Sequence, residues 1–466
     1  MRARDLARMM GAANNAEMNS RTISPSSVPT GAGLRLPDVE RTPGSFARWA
    51  FYVFMFTLPF EMLVPAWLPE ALKGSLSIPR VAGGFLLAAI LLDGKIRPLR
   101  LPAALLAFFI FFLVNVVSQL RGDVADFKIV MMYFQSLILF IFAYNMFLAS
   151  SVVTGALLSF VFAGVLSAVL TLNGVLVDTV QVAALGGRLS GFGHDPNGYA
   201  IGLMVGVLLA AGLAHFRKGK RKGIVQLAFL WGGALVMLLV IIRTLSRGVT
   251  LALVAGALVM VLGKGTFSVR LRSLLLVAVA GGVVFWFSPG SEDILERWSQ
   301  TIETGDTSGR EEIVRAAVKM LMAKPLMGWG SDAPGELIRL QGGVDLGDIG
   351  ATHNNLLGML IHHGLLGTLP AICGYVIVFR AAWRARTGVE DILPLTIFTA
   401  FFVTNLSLGG GYIPKFEWTF FSYQLAAGYR SGFDHCPLPA GGRRSLRALL
   451  RQGQRSRVTV RQETEP

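Results

Sequence analysis

Charge is scarce in this chain: only 15% of its 466 residues are Asp, Glu, Lys or Arg, against roughly 25% in soluble domains. With 53% hydrophobic residues, that shortage excludes an ordinary soluble globular protein. Cysteine is nearly absent as well. Cys373 lies inside an apolar run and Cys436 in a basic tail, so no disulfide is expected. The six histidines are scattered, and only His362 and His363 are neighbours. Adjacent helical positions point in different directions, so no metal-ligand set is expected. No phosphate-cradling GxxxxGK[ST] loop and no strand-led GxGxxG appears, which leaves no nucleotide cofactor and no nucleotide-driven pump to expect.

What the chain does contain is long apolar runs. Segments of about twenty residues, each enough to cross the hydrocarbon core, recur from Phe46 to Tyr429. They are continuous rather than alternating, which predicts an all-α polytopic membrane protein and not a barrel. About twelve crossings are expected, near 46–68, 76–92, 101–119, 127–149, 152–173, 197–215, 224–242, 248–263, 271–288, 354–379, 391–408 and 412–430. Residues 1–45 read as a disordered tail without a signal-peptide core, 46–430 as the membrane domain, and 431–466 as a basic tail.

Lys and Arg fall in alternate loops: Lys95, Arg97 and Arg100, then Arg217 to Lys222, then Lys264 to Arg272, then Arg380 to Arg386, then the C-terminal tail. The excess of cations on the cytoplasmic side puts both termini inside. His194, Arg243, Arg247, Arg310 and His353 then all lie on the outer side. Topology and anionic lipid explain the net charge of +15, so no nucleic-acid partner is expected.

The longest loop, about 289–352, is the segment where function is expected. Ser308-Gly309-Arg310-Glu311 fits a capping box opening a helix through Lys324, with Ile313, Ala316, Ala317, Met320 and Leu321 on one face. Pro325, Gly328 and Gly330 end it. A cation in the first turn opposes the helix dipole unless an anion binds there, so Arg310 reads either as a phosphate ligand or as a solvated arginine paired with glutamate. Arg243 and Arg247 share a face if their helix continues; each is either an anion ligand or an interfacial arginine that fixes the membrane boundary. His353 is either a base for a sugar hydroxyl or an interfacial polar residue satisfied by Thr352 or Asn354. His362 and His363 read as structural, one of them bonded to Asn115 or Gln135. Asp195-Pro196-Asn197 reads first as the start of a helix and secondarily as a substrate contact.

In order, these residues form a pattern: Gly193-x-Asp195-Pro196-Asn197, Ser246-Arg247-Gly248, and Arg310 leading to Lys324-Pro325-Leu326-Met327-Gly328-Trp329-Gly330. His353-Asn354-Asn355-Leu356 and Gly364-Leu365-Leu366-Gly367 follow. From about Gly193 to Arg380 the chain resembles the O-antigen ligase/polymerase superfamily. That resemblance implies a C-type membrane glycosyltransferase using an undecaprenyl-diphosphate-linked glycan without a metal ion. Arg247 and Arg310, with Arg243 beside them, would hold the diphosphate. His353 would act on the acceptor hydroxyl, with Asn354, Asp195 and Asn197 as secondary contacts. The acceptor would be another glycan, lipid A core or a protein, in a bacterial inner membrane with the site facing the periplasm. The rival is a flippase without covalent chemistry, which predicts helices broken near the midplane and internal repeats.

Overall fold

The computed structural model describes residues 42–61, 77–94, 99–121, 127–175, 188–191, 195–215, 223–263, 310–340, 352, 354–407 and 415–434, with isolated positions between 177 and 303. Gly193, His194, the crossing expected at 271–288, the capping serine Ser308, His353 and most of both tails lie outside them, as does the side chain of Arg310.

Every regular element among the described residues is a helix. They are α1 Ser45–Thr57, continued by a 3-10 turn to Phe60, α2 Ile78–Leu92, α3 Leu105–Leu120, α4 Phe127–Phe147 and α5 Ser150–Leu172. Next come α6 Pro196–His215, α7 Ile224–Arg243 and α8 Arg247–Leu262. The outer segment holds α9 Arg310–Ala323 and the short α10 Ala333–Leu340. Finally come α11 Asn355–Ala385, α12 Leu393–Ser407 and α13 Lys415–Asp434. Apart from α9 and α10, each sits on one of the expected apolar segments. Five stretches are long and apolar enough to cross a membrane: Ile129–Phe147, Ser150–Leu172, Pro196–His215, Ile224–Arg243 and Asn355–Ala385. α2, α3, α8 and α12 are shorter apolar helices.

The core forms where these helices pair. α11 packs against α3, α12 and α13; α6 against α5, α7 and α8; α1 against α2 and α5. Phe108 on α3 anchors the first group, with ring centroids 4.8 Å from Trp418, 5.6 Å from Phe140 and 5.8 Å from Phe421. Aromatic pairs of this kind contribute about 0.5–1.5 kcal/mol each beyond the area they bury.

Some hydrogen bonds between segments join ends expected on the same side. Segments expected inside meet one another: Arg100 with Tyr429 and Asn145, and Arg430 with Glu390 and the Phe147 carbonyl. Segments expected outside do the same: Asn197 with Ser246, Ser118 with Met327, and Lys415 with Glu61 at 2.7 Å.

α11 departs from the single straight crossing expected at 354–379. Gly364 has φ 59° and ψ −164°, far from helical values. Asn355 Nδ2 donates to Asn405 Oδ1 at 2.9 Å, and Asn405 Nδ2 donates to the Tyr375 hydroxyl at 3.2 Å. In a straight helix residues 355 and 375 would stand about 30 Å apart at 1.5 Å per residue. Meeting at one asparagine requires that α11 fold back at Gly364. It is therefore two helices, 355–363 and 365–385, and Asn355 shares a level with Tyr375 inside the bundle.

Candidate functional site

The fold-back is filled by the segment after α9. Trp329 N–H donates to the Ile361 carbonyl at 2.8 Å, while Leu365 and Leu366 N–H donate to the carbonyls of Pro325 and Leu326 at 2.8 and 3.0 Å. The helix break frees these groups, and the inserted loop takes them up, as the low-dielectric interior demands. Ser118 Oγ lies within hydrogen-bond reach of the carbonyls of Met327 (3.1 Å) and His362 (2.7 Å). His362 Nδ1 lies 2.9 Å from the Gly330 carbonyl, which fixes its proton on Nδ1 because the oxygen can only accept.

Glycine is required on both sides of this junction. Gly328 and Gly330 have φ 67° and 61°; a Cβ on Gly328 would lie 2.4 Å from the Ile361 carbonyl oxygen, and one on Gly364 2.4 Å from that of Leu326. Left-handed backbone and close main-chain approach both call for glycine. His363 sits one residue before the break with Nε2 3.1 Å from Asn115 Nδ2, in a buried contact. Of the two partners expected, Asn115 is the one it meets.

The junction holds α9 against the first half of α11. Ile313, Ala316, Ala317 and Met320 are buried with Leu337 of α10 and Ile361 of α11, and Leu357 packs on them. The expected apolar face of α9 is therefore the one buried, except that Leu321 is half-buried. Both helices run toward the junction, so their starting residues, Arg310 and Asn355, lie on the same side of it. Glu311 is paired with Arg315 at 2.6 Å on the solvent face. On α10, which follows the loop, the Arg339 guanidinium hydrogen-bonded to Glu336 holds that carboxyl below its usual range.

Asn354 caps α11, its Oδ1 accepting from Leu357 N–H at 3.0 Å. Thr352 Oγ1 donates to the Asn354 carbonyl at 2.8 Å. Both are committed to the local turn.

The second cluster joins the starts of α6 and α8. Asp195 Oδ2 accepts from Gly198 N–H at 3.0 Å and Pro196 opens α6, as expected for a helix start. Asn197 Oδ1 accepts from Ser246 Oγ at 2.8 Å and from Arg188 at 3.0 Å. Arg188 Nε reaches the Thr244 carbonyl at 3.1 Å, and Leu189 N–H the Arg243 carbonyl at 3.0 Å. Arg188 thus ties together two motifs that the sequence shows about fifty residues apart.

Arg243 and Arg247 do not share a helix face. α7 ends at Arg243, Leu245 turns at φ 53°, and α8 begins at Arg247 with Ser246 before it. The exposed Arg243 ends one helix and the half-buried Arg247 starts the next, where a bound anion gains from the free N–H groups and the helix dipole. Among the described residues no three His, Cys, Asp or Glu side chains gather as a metal-ligand set would, and Cys373 is a free thiol.

Comparison with known proteins bears on the stretch that contains most of these residues. Residues 232–372 match the profile of a family described as O-Antigen ligase. Over that stretch the chain is similar to this family. An O-antigen ligase from Pseudomonas aeruginosa strain PAO1 is 26% identical over 233 residues, 49% of this chain. The match spans 52% of that relative, about half its length. Arg243, Arg247, Arg310, His353, Asn354 and the Gly364 break all fall inside the profile match; Asp195, Asn197, Asn405 and Glu417 fall outside it. With its apolar helices, the chain is a multi-pass membrane protein.

The residues that sequence reading passed over are Glu417 and Asn405. Glu417 is 2% exposed, and its Oε1 accepts from Asn405 Nδ2 at 2.7 Å and from the Tyr375 hydroxyl at 3.1 Å. A carboxylate within an apolar segment was the available signal, since an ionisable group inside a membrane span is retained for a reason.

Proposed function

We propose that this protein transfers a glycan from undecaprenyl diphosphate to an acceptor hydroxyl on the periplasmic face of a bacterial inner membrane. The membrane domain would cross twelve times with both termini in the cytoplasm. The observation that carries the reading is the packing of α9 along the folded-back start of α11. It puts the helix led by Arg310 on the side where α11 begins, two residues after His353, within one family-matched stretch.

In the reaction proposed, the acceptor oxygen attacks the anomeric carbon and the bond to the diphosphate oxygen breaks. His353 takes the hydroxyl proton, or orients that hydroxyl, and a neutral imidazole near pH 7 suits the task. Arg247 and Arg310 hold the diphosphate and stabilise the charge developing on it, with Arg243 contributing from the end of α7. Asp195 and Asn197 shape the approach through the Arg188–Asn197–Ser246 contacts, and Asn354 holds the turn behind His353. The reaction needs no metal ion or other cofactor. Polymerisation of an exported polysaccharide or O-antigen is the first choice, ligation to lipid A core is close behind, and a protein acceptor is third.

A flippase remains the second reading because α11 is broken, as transporter helices often are. Here the break is packed by backbone from 325–330 instead of lining an open site. The test is reconstitution in lipid with undecaprenyl-diphosphate glycan, with and without lipid A core, in EDTA. Longer glycans without core indicate a polymerase and glycan on core a ligase. Donor crossing the bilayer with no new bond supports the flippase.

A further inference from the structure

We propose that Glu417 is a positioning residue. Through Asn405 it fixes which face of the Asn355 amide is presented at the start of α11, so that Asn355 offers an acceptor oxygen to a hydroxyl of the bound substrate. The proposal rests on the transfer reaction proposed above and assigns a role to three residues that reaction does not use.

The relay lies between α11, α12 and α13, and its members are all buried: Asn355 is 1% exposed, Glu417 2%, Asn405 6% and Tyr375 7%. Its direction is set at one end. Glu417 Oε1 faces two donors, Asn405 Nδ2 at 2.7 Å and the Tyr375 hydroxyl at 3.1 Å. That oxygen accepts whether or not a proton sits on the other carboxyl oxygen. Asn405 must therefore turn its nitrogen toward Glu417, and the same nitrogen also reaches the Tyr375 oxygen at 3.2 Å. Its own Oδ1 then faces Asn355 and accepts from Nδ2 there at 2.9 Å. With Nδ2 spent, Asn355 presents Oδ1, which is buried and has no hydrogen-bond partner among the described residues.

An amide normally fits either way round, since its oxygen and nitrogen differ little in shape. The acid removes that ambiguity and passes the choice along two asparagines. A buried polar group left unpaired is costly, so a carboxylate is retained inside an apolar segment only where it does something. Asn355 directly follows the capping Asn354, two positions after His353, and the relay pins that end of the folded-back helix.

Glu417→Gln tests this, because glutamine is nearly the same shape but can donate. With Gln at 417 donating to Asn405, both amides can reverse, and Asn355 then presents nitrogen in part of the population. The protein is reconstituted in lipid nanodiscs and the side-chain amide signals of Asn355 and Asn405 are recorded by NMR with selective 15N labelling. One set of signals is expected in the wild type and two in Glu417→Gln. Transfer in the variant should fall about 3- to 10-fold in kcat, with the donor KM and the pH profile unchanged, the scale of one misdirected hydrogen bond. Asn405→Leu, which removes the link, should fall further. A single signal set with full kcat in Glu417→Gln would overturn the relay. So would abolition of transfer with an altered pH profile, which would make Glu417 a proton carrier. A wild type that transfers nothing refutes the proposed reaction alone, while the amide signals still decide the polarity.

Discussion

Arg247, Arg310 and His353 carry distinct loads in the reaction proposed here, and single substitutions separate them. Arg247→Ala or Arg310→Ala removes one group stabilising the leaving diphosphate, a loss of about 10²- to 10³-fold in kcat. His353→Ala removes the base and lowers kcat by about 10²- to 10⁴-fold. Initial rates on matched amounts of membrane-inserted protein read both, and His435→Ala in the C-terminal tail should leave the rate unchanged. The sequence singles out these three because charged and titratable groups beside apolar runs stand out. Asn405 and Glu417 it does not: they lie in separate helices, and the motif containing Asn355 gives no sign that the fold-back of α11 brings Asn355 and Tyr375 to the same asparagine.

At the scale of elements, the junction between residues 325–330 and Gly364 sets where α9 stands on α11. Gly364→Ala forces a side chain into left-handed backbone and against the Leu326 carbonyl, whose carbon and oxygen lie 2.4 Å from the added Cβ. The strain alone is of order 1–3 kcal/mol. The variant should unfold at lower temperature in detergent and lose transfer, whereas Gly335→Ala on α10, which meets nothing within 4 Å, should do neither. Thermal unfolding of the purified variants checks this. Helix positions were legible from hydrophobic runs, and α9 from its periodicity. The break was not, because Gly364 in an apolar run reads like any small residue of a membrane helix. The helix break between Arg243 and Arg247 fits the expected crossings 224–242 and 248–263, whereas the turn at Leu245, an unremarkable residue that holds a positive φ, left no mark in the sequence. α10 was missed because it is only eight residues long and follows glycine-rich chain.

For the whole molecule, the alternation of Lys and Arg along the chain carries the proposed topology. It makes a prediction about sidedness. In a background lacking Cys373 and Cys436, Glu336→Cys should react with a membrane-impermeant maleimide in spheroplasts, and Lys220→Cys should react only after the membrane is opened. The reverse pattern would put the proposed site on the cytoplasmic side.

The measurement that bears most directly on function is glycan transfer by wild type and His353→Ala side by side. Each is reconstituted in lipid with undecaprenyl-diphosphate glycan in EDTA and analysed by mass spectrometry. The wild type should form a new glycosidic bond, and His353→Ala should form at least about a hundredfold less product at equal protein. Equal product from both would contradict the role given to His353. No product from the wild type, with donor found across the bilayer, would contradict glycosyl transfer itself.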